Sequence, residues 1–176
     1  MSFTSRALRD AMGLFPTGVA VVTTRSNNGS VYGVTVNSFN SVSLEPPLVL
    51  FSLARNLYVL PAYLSAEVYA INILREDQRQ ISERFASLDE NKWESVEHRE
   101  GVTGSPVLQP MLGVLECRHY AHYDGGDHVI FVGKVVHLER PEHHRPLVFF
   151  RGRYHRLNLS MQDENASPIS LEGEPS

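Results

Sequence analysis

Residues 33–53 read GVTVNSFNSVSLEPPLVLFSL, a stretch that sets the short hydroxyl and amide groups of Thr35, Asn37, Ser38, Asn40, Ser41, Ser43 and Ser52 among apolar residues. Val34, Val36, Phe39 and Val42 interleave with those polar groups. An extended chain of this kind buries one face and turns a neutral row of hydroxyls and backbone N–H groups to the other. Such a row suits a phosphate or a polar heterocycle. Pro46 and Pro47 then impose an extended turn, because proline lacks an N–H and holds the residue before it out of the helical region. The unbroken apolar run 48–53 reads as a strand buried on both faces.

Upstream, Thr4 or Ser5 can cap a short helix through Met12, with Leu8, Met12 and Phe15 roughly on one side. Pro16-Thr17-Gly18 makes a turn. Residues 19–24 are rich in β-branched side chains and read as a strand, and SNNGS at 26–30 carries hairpin chemistry, so the chain from Val31 is the return strand. Downstream, Asn56 is placed to cap a helix through about Leu64. Residues 69–74 read as a strand, and residues 77–85 as a helix capped by Asp77, with Ile81 and Phe85 one turn apart. The polar segment 87–104, with Trp93 inside it, exceeds ordinary loop length and is expected to fold over something as a lid. Residues 112–120, 129–138 and 146–150 complete the strands, separated by DGGD and PEHHR. This pattern favours a mostly β fold, a closed or partly closed barrel with two to three short flanking helices, over alternating βαβ units.

The chain has 176 residues, 42% of them hydrophobic, enough for one domain and too few for two ordinary ones. That domain is expected over 1–159. The polar composition of 160–176 predicts a mobile C-terminal tail. A net charge of −4 and only two lysines, Lys92 and Lys134, give no support to nucleic-acid binding. No window approaches the roughly 18 apolar residues of a membrane helix. The charged N-terminus does not read as a signal peptide, and the lone Cys117 in an apolar run suits a reducing cytoplasm.

No GxGxxG follows the first strand, so a Rossmann dinucleotide site is excluded, and Ser38 and Ser41 lack the GxSxG elbow of a hydrolase. Glu83, Asp89, Glu94 and Glu97 form no catalytic dyad. His119 and His122, with Glu116 and Cys117, invite a metal reading. Ligands three apart along a strand point to opposite faces, however, so no metal site is expected. His119, His122, His137, His143, His144 and His155 are read as surface or core residues without chemistry.

Taken with FPTGVAVVTT at 15–24, INILREDQRQISERFA at 71–86 and GDHVIFVGKV at 126–135, the opening stretch resembles the flavin reductase family, the reductase partners of two-component flavin monooxygenases. The resemblance runs over roughly residues 8–157. It implies a Greek-key split β-barrel of six to seven strands, a homodimer with flavin at its interface, and hydride transfer from NADH or NADPH to FMN or FAD. The reduced flavin would leave for a partner monooxygenase. By the same resemblance Thr35, Asn37 and Ser38 would face the flavin, Ser41 and Ser43 would lie near its phosphate or ribityl chain, and Pro16, Thr17 and Gly18 would approach the ring. The resemblance also implies that Val36, Val42, Ser52, Leu53 and Ala54 would belong to the same site, that Phe85 and Ala86 would border it, and that Tyr154 would approach it from an RGRY-like segment. His128 would contact the nicotinamide nucleotide. The alternatives are a noncatalytic flavin- or haem-binding split barrel and, less favoured, a purely structural β-barrel, since fold does not fix function.

Overall fold

The computed structural model describes residues 3–26, 28–89, 91–141 and 144–158. The expected tail 160–176 and His143 lie outside the described residues. The helices are α1 (Ser5–Met12), α2 (Leu60–Leu64) and α3 (Arg79–Ala86). The strands are β1 (Thr17–Gly18), β2 (Ala20–Arg25), β3 (Val31–Val36), β4 (Asn40–Ser43), β5 (Leu48–Ala54), β6 (Val68–Ile73), β7 (His98–Glu100), β8 (Pro106–Leu108), β9 (Gly113–Gly125), β10 (His128–Glu139), β11 (Leu147–Phe150) and β12 (Arg153–Arg156).

Seven strands form one antiparallel sheet in the order β3-β2-β6-β9-β10-β5-β4. Its two edge strands, β3 and β4, are consecutive in sequence and joined by residues 37–39 alone. A flat sheet of that many strands would be about 29 Å wide, whereas four Cα-to-Cα steps reach at most about 14 Å. The sheet must therefore curl until its edges meet. The edges do not pair as strands. Instead Ser38 Oγ, in the gap, accepts from the Ser52 N–H at 2.9 Å and donates to the Ser52 carbonyl at 3.3 Å. The uninterrupted strand expected over 35–43 is thus broken at Asn37–Phe39, where the chain crosses from one edge to the other.

Inside the curl Val22, Val36, Phe51, Tyr63, Tyr69 and Phe131 pack together, with Phe51 and Phe131 stacked 5.2 Å apart. Val21 of β2, and Val19 just before the strand, face a second cluster with Leu74, Phe85 and Leu147. Burial on both faces suits the apolar first half of this strand, residues 20–22, while the buried Thr23 and Thr24 hydroxyls donate to the Ala70 and Val68 carbonyls. The β2–β3 turn is as expected: Gly29 takes φ 87° and Asn28 Oδ1 accepts from the Ser30 N–H.

Four local expectations are corrected. Asn56 does not cap α2, which begins only at Leu60, and Asp77 does not cap α3 because its carboxylate pairs with Arg75 at 2.7 Å. The segment 87–104 is not loop throughout, since it contains β7, paired with β8, although Ser87, Leu88 and Lys92 do fold over a cavity. The buried Glu116 carboxylate also accepts from the Val102 and Thr103 N–H groups. Finally, His119 and His122 share a face. The β9–β10 register shifts between Val132 and Gly133, leaving Tyr120 as an extra residue, and the two ring nitrogens approach to 3.4 Å. Such a bulge breaks the period-two rule.

Candidate functional site

A cavity of about 250 Å³ opens where the curled edges meet. Thr35, Val36, Asn37 and Ser38 form one wall, and Ser52, Leu53 and Ala54 of β5 form the opposite one. Phe85 and Ala86 close it at the C-terminal end of α3, and His128 stands at the start of β10. These elements come from four separate stretches of chain, which only the curl brings together.

The hydroxyls expected to face a ligand are partly committed elsewhere. Thr35 Oγ1 donates to the Ser82 carbonyl at 2.7 Å, tying β3 to α3, and the Ser38 hydroxyl holds Ser52. The exposed Asn37 side chain makes no hydrogen bond with other described residues. Lys92 was not foreseen in the site. It is 5% exposed, its Nζ donates to the Phe85 carbonyl at 3.2 Å, and it lies 5.5 Å from the centroid of the Tyr58 ring. Burial pulls its ammonium below the ordinary lysine value, against the opposing field of Asp89. Lys92, Tyr58 and Val59 also line a second chamber of about 230 Å³, completed by Val31, Tyr32, Gly33 and Trp93.

His128 is held in a rigid turn. Its Nδ1 lies 2.7 Å from Asp127 Oδ1, and Gly126 before them has φ 76°. Arg55 clamps the turn: Nε donates to the Gly126 carbonyl at 2.8 Å, Nη2 to Asp124 Oδ1 at 2.7 Å, and its own N–H to the Asp127 carbonyl at 2.9 Å. The Arg55 hydrogen bond holds the Asp124 carboxyl below its usual range, and the His128 hydrogen bond does the same for Asp127.

Residues 12–158 match the family described as flavin reductase like domain. A probable flavin reductase of Rhizobium meliloti (strain 1021) is 39% identical over 98% of this chain, which spans 54% of that relative's length. The FMN reductase (NADH) SmoA of Agrobacterium fabrum is 42% identical over 88% of this chain and 87% of its own. The styrene monooxygenase flavin reductase of Pseudomonas putida S12 superposes with a TM-score of 0.80 at 31% identity, covering 92% of this chain and all of that one. This chain belongs to the flavin reductase family.

The structure divides the expected flavin reductase site in two. Thr35, Val36, Asn37, Ser38, Ser52, Leu53, Ala54, Phe85, Ala86 and His128 line the cavity. Pro16, Thr17, Gly18, Ser41, Val42, Ser43 and Tyr154 do not. Thr17 and Gly18 pair with β11, and Thr17 Oγ1 is buried with no hydrogen-bond partner among the described residues. Ser41, Val42 and Ser43 lie on the edge strand β4, with Val42 exposed. The Tyr154 hydroxyl shares a hydrogen bond of 2.9 Å with Ser82 Oγ and lines a separate cavity with Arg79 and Arg156. Leu57, Tyr58, Val59, Ser87, Leu88 and Lys92 were missed. The first three follow β5 directly, so their place could have been read from the strand; that of Lys92 could not, because a long polar segment carries it there.

The donor set fits a flavin. Val36, Leu53 and Phe85 offer apolar surface to a ring, Asn37 offers an amide to its polar edge, and Lys92 is a cation. Among the described residues no carboxylate lines the cavity to repel a phosphate or an electron-rich ring.

Proposed function

We propose that this protein is an NAD(P)H:flavin oxidoreductase that supplies reduced FMN or FAD to a partner flavin-dependent monooxygenase and works as a homodimer in the cytoplasm. The observation that carries this reading is the composition of the cavity: neutral amide and hydroxyl groups, apolar walls and one buried cation, with His128 at the rim. Bound flavin would accept at N5 a hydride leaving C4 of the nicotinamide, so the electron pair and its hydrogen move together and the nicotinamide is oxidised. The residues of this chain then have a positioning task. They hold two rings face to face at about 3–3.5 Å and keep water from between them. No general acid or base is needed for such a transfer.

The role proposed for His128 is to hydrogen-bond the nicotinamide nucleotide, since its ring lines the cavity and Asp127 engages Nδ1, leaving Nε2 without a hydrogen bond among the described residues. The NADH use of SmoA and the monooxygenase partner of the styrene system support the donor and the recipient assigned here. Purified protein should oxidise NADH or NADPH only when FMN, FAD or riboflavin is added, in an absorbance assay at 340 nm. Saturable flavin binding with no nucleotide oxidation would instead establish the noncatalytic alternative.

A further inference from the structure

Among the described residues, Lys92 is a charged group with few partners for its burial. It is 5% exposed, yet its three ammonium hydrogens meet a single described acceptor, the Phe85 carbonyl at 3.2 Å. The Tyr58 ring lies 5.5 Å away. Among the described residues no carboxylate forms an ion pair with it, and Asp89 acts on it only through its field. Burying a cation without a counter-charge is costly, and native proteins hold such groups paired or bound to a ligand.

Its position is fixed rather than accidental. Trp93, the next residue, packs edge-on against Phe85 at 5.0 Å, and Phe85 in turn lies on Gly33 of β3. A Cβ on Gly33 would sit 2.5 Å from the Phe85 ring, so the glycine allows this close approach. The turn carrying Lys92 is therefore locked against the wall shared by both chambers.

We propose that the Lys92 ammonium pairs with negative charge on the isoalloxazine of a flavin bound in this cavity, so that the protein holds reduced flavin more tightly than oxidised flavin. This rests on the flavin reading above. The ring is preferred to the phosphate as the anionic group because Lys92 is buried beside apolar walls, where a doubly charged phosphate would lose its hydration. The reduced ring gains charge only on reaction and spreads it over several atoms.

The test uses the intact protein with Lys92→Met and Lys92→Arg, and measures the dissociation constants of FMN and riboflavin in both redox states under anaerobic conditions. Circular dichroism melting checks that the variants fold. Lys92→Met should weaken reduced flavin about tenfold or more and change oxidised binding less than about twofold, for riboflavin as for FMN, with Lys92→Arg restoring most of the difference. Equal weakening of both redox states would make Lys92 a packing residue and overturn the proposal. A loss seen with FMN but not riboflavin would move the contact to the phosphate and overturn it equally. Wild-type protein that binds neither flavin would remove the flavin reading itself, an outcome distinct from a wild type that binds and a Lys92→Met variant that does not discriminate.

Discussion

Gly33 is the residue on which the site depends most directly, because β3, Phe85 and Trp93 meet there without room for a methyl group. Gly33→Ala forces the Phe85 ring to shift. It should cost roughly 1–3 kcal/mol, read as a lowered denaturation midpoint, and should weaken flavin binding in parallel because Phe85 borders the cavity. A variant that melts and binds like the wild type would show that the ring moves freely. For His128, the comparison is with His122, which has no role in the proposed reaction. His128→Ala should lower kcat/KM for the nucleotide several-fold, the effect of losing a hydrogen bond of roughly 0.5–1.5 kcal/mol, while His122→Ala leaves it unchanged. Equal effects would return His128 to the turn. Cys117 is fully buried, and burial, aided by Glu116, pushes its thiol up to about 12. It should not react with a thiol reagent at pH 8 until the protein is unfolded.

At the scale of elements, the β9–β10 hairpin aims His128, and Arg55 holds that hairpin. Asp124 has its folded value depressed by Arg55, so the stabilisation from this pair is fully present above the ordinary value of 3.8 and disappears as pH falls through the lowered folded value. Arg55→Gln should move the Asp124 carboxyl midpoint back up toward 3.8 in an NMR titration. An unmoved midpoint would deny the clamp. This hairpin was legible locally, because DGGD carries its own turn chemistry. The β2–β3 turn and the Thr4 cap of α1, which accepts from the Ala7 N–H at 3.1 Å, were legible for the same reason. The break at residues 37–39 was not. It is stabilised by Ser52, which lies 14 residues further along the chain, and no local pattern encodes that bond. The bulge at Tyr120 was hidden likewise, since only its pairing with β10 reveals an extra residue.

At the scale of the whole molecule, α1 buries none of its residues, and Phe3, Met12, Leu14 and Phe15 are largely exposed. In the proposed homodimer these exposed apolar side chains are where a second copy would dock. Light scattering at micromolar concentration should give twice the 19.8 kDa chain mass, and Phe15→Glu should shift the species toward monomer. A fully active monomer would show that the second copy adds nothing to the reaction. Among the described residues no helix is long and apolar enough to cross a membrane.

The sequence by itself determined the strand-rich class, the order of most elements, the hairpins and the family, because alternation, turn residues and short motifs act over a few residues and leave a local imprint. It also identified Thr35, Asn37, Ser38, Phe85 and His128 as neighbours in one site. Only the tertiary structure decided how those groups are used. The hydroxyls of Thr35 and Ser38 are spent on backbone carbonyls and N–H groups that curling the sheet brings within reach, and Ser41, Val42, Ser43 and Tyr154 fall outside the cavity. A buried lysine from a long polar segment enters it instead. Those outcomes follow from which distant backbone groups need partners once the sheet has curled, a condition set by the fold and by no stretch of neighbouring residues.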